Sequence, residues 1–428
     1  MKRYIYKQLL AWKNEKEHKP LILNGARQVG KTYILREFGR NEYKRMAFFS
    51  LDRDQKALEI FNKGGRATDM LMALSAICHE DITPHDTLVV LDEIQNCPKA
   101  LEALKFFCEE TPEIDIVVAG SLLGLSIHSG VSYPVGKVEE LHLYPMTFLE
   151  FLEAMGKTQL VNLLENKNWT VINMLETELI SSLRQYYYVG GMPAAVLAHI
   201  EKKGWKEVRR IQQQIITDYR RDFSKHAPTR EIPRINMVWD SIPAQLAKEN
   251  KKFVYGAVKK SARAADFEMA IQWLIDAGLA YKVPRVNAPR LPLKFYEDIS
   301  AFKLFMLDVG LMGAMAETTA ESVVVGDNIF SEYKGAFTEL YVFTQLKALG
   351  YSLYYHAVDN STIEIDFLTQ RDNQVIPIEV KAEVNVKAKS LRTFISNNPE
   401  LKGIRFSMLP YKEQDWMTNI PLYACMAW

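Results

Sequence analysis

The sequence predicts an α/β protein in which a parallel-sheet core comes first, a helical stretch follows, and a smaller α/β domain comes last. Three observations predict it. Strand-length apolar runs alternate with helical stretches over residues 1–150, the pattern of a parallel sheet with both faces covered. A glycine-rich turn joins the first of those runs to the first helix. The alternation stops near Phe148 and returns only near Gly326.

Residues 21–23 form a short buried-strand run, followed by the turn and by a helix from about Lys31 to Phe38. Further strand runs lie at 46–51, 88–91 and 116–119. Segment 151–230 reads as a helical lid. It is broken at Tyr188-Val189-Gly190-Gly191-Met192-Pro193, where the glycine pair and the proline force a turn. Segment 231–322 reads as three helices and a hairpin with strands at 279–283 and 293–296, a winged-helix-like pattern. Segment 323–428 contains a helix at 335–349 and strands at 351–356, 364–370 and 375–380. A helix from about Lys387 and a late strand at 404–408 complete it.

The bulk numbers narrow the function classes. The 428 residues are 48% hydrophobic and 25% charged, ordinary values for a globular protein with more than one core. The net charge of +1 means that any nucleic-acid binding must come from local patches. Cys78, Cys97, Cys108 and Cys425 show no CxxC spacing and no histidine at metal-ligand spacing, which argues against a zinc site or a disulfide framework. The first residues lack the apolar core of a signal peptide, and the apolar stretch 116–125 is too short to span a bilayer. The expected location is cytoplasmic, with no membrane partner.

Gly25-Ala26-Arg27-Gln28-Val29-Gly30-Lys31-Thr32 matches the phosphate-loop pattern GxxxxGK(S/T) in full. Its glycines let the backbone curl so that N–H groups point at phosphate oxygens, and the helix that it opens favours the same anion. Lys31 is placed to reach the outer phosphates of ATP and Thr32 to offer a hydroxyl to Mg2+. Leu88-Val89-Val90-Leu91-Asp92-Glu93 is an apolar strand ending in two carboxylates. Asp92 is the expected second Mg2+ ligand, and Glu93 the base that polarises water for attack on the terminal phosphate. The run 116–119 leads through Gly120 to Ser121, which suits a hydrogen bond to the terminal phosphate or the attacking water; a helix N-cap is an equal use of it. For an arginine finger the sequence offers only Arg220, Arg221 and Lys137, each better read as a solvated charge.

The last segment carries a second constellation. Glu339 lies on a helix, Glu364-Ile365-Asp366-Phe367 on a strand, and Pro377-Ile378-Glu379-Val380-Lys381 on the next. Alternation puts Glu364 with Asp366, and Glu379 with Lys381. This is the pattern of the PD-(D/E)xK nuclease fold. Asp366 and Glu379 would hold metal, Lys381 would serve the water, and Glu339 would complete the shell. The plainer alternative is a solvated strand face of alternating charge. A short hairpin at Arg371-Asp372-Asn373 would let the two strands pair directly.

Between Lys248 and Arg263 stand Lys251, Lys252, Lys259 and Lys260 against one acid, Glu249, with Phe253 and Tyr255 interleaved. In a winged helix this run would flank or form the recognition helix and contact DNA phosphates.

GARQVGKT, LVVLDEIQN, VVAGSLLG, LYPMTFLEF and YYYVGGMP occur here in that order. Together they resemble the prokaryotic AAA-type ATPases that carry a C-terminal domain of unknown function numbered 4143. The resemblance runs from about Lys2 across nearly the whole chain. Gln95, and Leu143-Tyr144-Pro145 leading into Phe148 and Phe151, are its most specific residues. Members commonly have an arginine where this chain has Lys137. The resemblance implies ATP binding with Mg2+.

The leading functional expectation is a Mg2+-dependent ATPase whose nucleotide state controls a C-terminal, DNA-facing, nuclease-like module. The alternative is a nucleotide-dependent switch acting on protein partners or a second copy, with a non-catalytic C-terminal scaffold. A small-molecule kinase fits less well, because nothing after the core resembles an acceptor site.

Overall fold

The fold is that of a computed structural model, and the residues described are 1–121, 133–248, 251–326, 328–358, 363–382 and 388–428. Glu249 and Lys387 lie outside them. The chain divides into two units, one of Lys2–Tyr144 with Asp276–Leu279 and one of Pro145–Ile275 with Ala280–Trp428.

The N-terminal unit is built on five parallel strands: β1 (Leu21–Asn24), β2 (Arg45–Ser50), β3 (Thr87–Asp92), β4 (Asp115–Ala119) and β5 (Glu139–His142). Their order is β2-β3-β4-β1-β5. Every residue of β3 and β4 is buried, which is why these strands read as unbroken apolar runs. The helices Gln55–Lys63, Ala67–Cys78 and Pro98–Glu110 close one face through Phe61, Leu74, Leu104 and Phe107 against Val89, Leu91 and Val118. The helices Ile5–Asn14 and Lys31–Glu42 pack together and against the sheet, burying Leu9, Trp12, Ile34 and Phe38. The chain leaves β1 for the far edge, returns through β3 to β4, then crosses to β5. The carboxyl ends around β1 therefore open the crevice where ligands sit in such sheets.

The C-terminal unit begins with helices Phe148–Ala154, Thr158–Glu165, Trp169–Met174, Glu176–Val189, Pro193–Ile200 and Trp205–His226, with no strand among the described residues there. The glycine pair in YYYVGGMP has a packing cause. A Cβ on Gly190, whose φ is 71°, would lie 2.3 Å from the Asp308 carboxylate, and one on Gly191 would lie 2.1 Å from the Met146 carbonyl. Gly191 donates its N–H to Asp308 at 2.6 Å, Met146 donates to the Gly191 carbonyl at 2.7 Å, and the Tyr186 hydroxyl donates to Met146 at 2.6 Å. Met146 belongs to LYPMTFLEF, so that motif and YYYVGGMP are tied to each other by packing.

Eight strands follow in one mixed sheet: β6 (Ala280–Val286), β7 (Glu297–Met306), β8 (Tyr354–Ala357), β9 (Glu364–Arg371), β10 (Gln374–Val380), β11 (Gly403–Ser407), β12 (Lys412–Glu413) and β13 (Met417–Pro421). Their order is β12-β13-β11-β10-β9-β8-β6-β7. The turn between β9 and β10 is Asp372-Asn373, with φ of 50° and 58°. Two left-handed residues make a turn whose twist matches antiparallel strands. Phe305 of β7, Phe343 of the helix Asn328–Ala348 and Phe367 of β9 form one aromatic group, Phe305 and Phe343 stacking at 4.6 Å. Each such ring, fully buried, contributes about 1.5–3 kcal/mol.

The second strand of the expected hairpin is corrected here. Residues 293–296 form a 3-10 turn, and the strand is Glu297–Met306. Leu293 is buried while Phe295 is 84% exposed, so the short apolar run never lies flat on a core. The true strand opens with the polar residues Glu297-Asp298 and buries a lysine, Lys303, which hides its signal. The hairpin belongs to the sheet of the C-terminal strands, through β6 beside β8. Of the two placements expected for the basic run, forming a recognition helix is not met: its own helix is one turn, Tyr255–Val258, and the helix Ala264–Asp276 begins just after it. Lys251 and Phe253 turn inward: Phe253 donates its N–H to the Phe302 carbonyl at 2.7 Å and stacks on that ring. Among the described residues, no helix is long and apolar enough to cross a membrane.

Candidate active site

The phosphate loop follows β1. Gly25 and Gly30 have φ of 150° and 101°, where a side chain is strained. A Cβ on Gly25 would lie 2.4 Å from the Leu143 carbonyl. Leu143 in turn donates its N–H to Asn24 at 2.8 Å. One residue that sequence reasoning missed secures the loop from behind. The buried Arg3 guanidinium donates to the Val29 carbonyl at 2.9 Å and to the Tyr144 carbonyl at 2.6 Å. No local pattern could reveal it, because its partners are far away in the sequence.

Lys31 is buried at the start of the helix Lys31–Glu42, and its ammonium donates to the Gly25 and Ala26 carbonyls at 2.8 and 2.9 Å. Thr32 donates its hydroxyl to Asp92 at 2.6 Å. Asp92 ends β3 and is buried. Burial pushes its carboxyl up, and the Thr32 hydrogen bond opposes that. Glu93 is left-handed, with φ of 55°, and donates its N–H to Asp92 at 3.1 Å. Its carboxylate accepts a hydrogen bond from the Gln95 amide. That contact gives Gln95 a physical task, since it fixes the direction in which Glu93 points.

Ser121 is buried just beyond β4, the strand between β1 and β3. Residues 122–132, which would decide whether it caps a helix, lie outside the described residues. Lys31, Thr32, Asp92, Glu93 and Ser121 thus gather at the carboxyl ends of three adjacent strands, and Arg27 and Gln28 are exposed in the loop. The three cations weighed as fingers stand in ion pairs: Lys137 with Glu109 at 2.9 Å, Arg220 with Asp240 at 2.6 Å and Arg221 with Asp218 at 3.2 Å.

The AAA domain family matches residues 17–152, the region that holds all five of these residues, and the domain of unknown function DUF4143 matches 334–424. The chain thus carries an AAA ATPase domain and a C-terminal DUF4143 domain. A further domain of unknown function, DUF8612, matches residues 180–322 of this ATPase. The search of curated proteins returned no match. Among solved structures, the ATPase is similar to Drosophila ORC bound to DNA, at 15% identity over 73% of this chain and 94% of that one, with a TM-score of 0.26. It is similar to a RuvB variant from Thermotoga maritima at 13% identity, over 68% and 89% of the two chains, with a TM-score of 0.31. The corresponding values for Cdc6p from Pyrobaculum aerophilum are 14%, 76%, 96% and 0.28.

The electrostatics of Lys31 lead to a pH dependence. Burial brings its ammonium down to about 8, against the pull of Glu93 and Asp92. Bound phosphates require the charged form. ATP affinity should therefore be level below pH 8 and weaken above it, approaching about tenfold per pH unit. Calorimetry in buffers of different ionisation enthalpy should show about one proton taken up on ATP binding at pH 9 and close to none at pH 7.

The C-terminal acidic residues form a separate cluster. Glu339 of the helix Asn328–Ala348 is buried and ion-paired to Lys251. Lys303 of β7, with no solvent exposure, stands 2.6 Å from Glu364 and 3.9 Å from Glu339. Lys381 pairs with Glu379, and Asp366 accepts the Val380 N–H at 2.7 Å. Burial would raise the Glu339 carboxyl, but Lys251 and Lys303 hold it down to about 2. Burial and then the Glu339 and Glu379 carboxylates push Asp366 well above the usual carboxylate range. Burial also raises Glu379, against the pull of Lys381. Sequence reasoning missed Lys251 and Lys303 as members of this group. Among the described residues, no three acidic, histidine or cysteine side chains meet in a metal-holding arrangement. Asp366 and Glu379, the residues expected to hold metal, lie in one buried group with Glu339, and the Lys303 and Lys381 ammonium groups face its carboxylates.

Proposed function

We propose that this ATPase hydrolyses ATP with Mg2+ and uses its nucleotide state to control the C-terminal module on DNA, in the cytoplasm. The observation that carries the reading is the constellation of Lys31, Thr32, Asp92 and Glu93 at neighbouring strand ends. Thr32 and Asp92 already stand hydroxyl to carboxylate, a donor set that suits Mg2+. Mg2+ held there would neutralise charge on the phosphates. Lys31 gives up the Gly25 and Ala26 carbonyls for phosphate oxygens. Glu93, aimed by Gln95, takes the proton of the attacking water, and Ser121 orients that water or the terminal phosphate. Residues 25–32 cradle the phosphates with their N–H groups.

The DNA-facing part of the reading is supported by Lys248, Lys259, Lys260 and Arg263, which are exposed. They would contact phosphates without reading bases. A second reading, a switch for protein partners or a second copy with a non-catalytic C-terminal scaffold, is favoured by the lysines facing Glu339, Glu364 and Glu379. ATP hydrolysis should be measured with single-stranded, duplex and branched DNA, with and without Mg2+. Stimulation by DNA is expected. Activity indifferent to all three, with Mg2+ present, would favour the switch.

A further inference from the structure

We propose that Lys303, helped by Lys251, occupies the place of a divalent cation in the C-terminal acidic cluster, so that this module is complete without metal and does not cleave phosphodiesters. The inference rests on the nuclease-like reading of residues 323–428, but its test does not depend on ATP or DNA.

A lysine stands where none is expected. Lys303 lies on a sheet strand with no exposure, its ammonium 5.0 Å over the Tyr355 ring. A buried ammonium is stable only when carboxylates surround it. Lys303 has two, Glu364 at 2.6 Å and Glu339 at 3.9 Å. Lys251 takes the other Glu339 oxygen, and Lys381 takes Glu379. Three ammonium groups thus face Glu339, Glu364, Asp366 and Glu379. These ammonium groups already offset most of the carboxylate charge, so a divalent cation would bring further positive charge into a buried group that is already paired, at a cost its ligand bonds would not return unless a lysine left. Lys303 has no easy exit, since it lies fully buried on β7, paired across the sheet with Val283 and packed by the helix that carries Glu339.

The cluster also ties together parts of the chain that are distant in sequence. Lys251 and Lys303 come from the segment before residue 323, and the acids come after it. The lysines therefore do for the fold what a structural metal would do, drawing β7, β9 and the helix Asn328–Ala348 to one centre.

The test uses Mn2+ as the probe, without nucleotide. In wild-type protein, Tm should not change between EDTA and millimolar Mn2+, and electron paramagnetic resonance should show no bound Mn2+ that Glu379→Gln removes. Lys303→Met, which keeps the length of the stem and deletes the charge, should lower Tm by about 5–10 °C in EDTA. Mn2+ should restore part of that loss, because the freed carboxylates then need a cation. One Mn2+ per wild-type chain that disappears in Glu379→Gln but persists in Asp92→Asn would overturn the proposal. A Lys303→Met protein that Mn2+ does not restabilise would overturn it as well. Should Lys303→Met fail to fold, Lys251→Met carries the same comparison, and the wild-type measurement stands without any variant.

Discussion

Replacing Lys31 with alanine is expected to abolish tight ATP binding. Its ammonium is the one cation of the phosphate loop that is buried, and it rests on the Gly25 and Ala26 carbonyls until phosphate replaces them. Alanine leaves the loop N–H groups in place, but they carry only partial charge against a polyanion. Removing one partner of a buried charge pair costs about 2–5 kcal/mol, which is roughly a 30-fold to several-thousand-fold loss of affinity. Nucleotide titration by calorimetry measures this directly, with Tm as the control for folding. Unchanged affinity in a folded Lys31→Ala protein would sink the phosphate-loop assignment.

Glu93→Gln should separate binding from turnover. The substitution keeps shape and removes one charge, and it leaves the Thr32–Asp92 pair and Lys31 untouched. ATP should still bind with Mg2+. Hydrolysis should slow by about 10²–10⁴-fold, the usual contribution of a positioned general base. The glutamine can still meet Gln95, so the local backbone should hold its left-handed turn. Single-turnover hydrolysis against equilibrium binding distinguishes the two steps. A wild-type rate in this variant would move the role of base elsewhere.

The parts of this fold that were legible in the sequence are those whose cause is local. The phosphate loop is eight contiguous residues, and its glycines announce the backbone they must adopt. The strands β3, β4, β9 and β10 lie within a residue or two of where their apolar runs place them. The Asp372-Asn373 turn follows from two residues that tolerate left-handed backbone. What was not legible depends on partners far away in sequence. Arg3 has no meaning until Val29 and Tyr144 surround it. Lys303 looks like a break in a strand until Glu364 and Glu339 are beside it. Lys251 and Phe253 looked like members of a solvent-facing basic run, and only packing against Glu339 and Phe302 turns them inward. The short strands β5 and β13 hold few apolar residues in a row, so pairing with neighbours defines them more than pattern does.

The seating of β6 beside β8 sets an order on how this protein can be made. A ribosome releases the β6–β7 hairpin well before it releases Tyr355, the residue of β8 that β6 pairs with. In that interval the hairpin is a two-stranded ribbon, which is marginally stable in water. Both of its edges are then unpaired and open to other chains. Its Lys303 also waits, because Glu339 and Glu364 are translated later. Pairing across so long a separation is slow. The nascent segment from Ala280 to Met306 therefore stays open until β8 is made, and synthesis that stalls before β8 leaves a ribbon prone to aggregation.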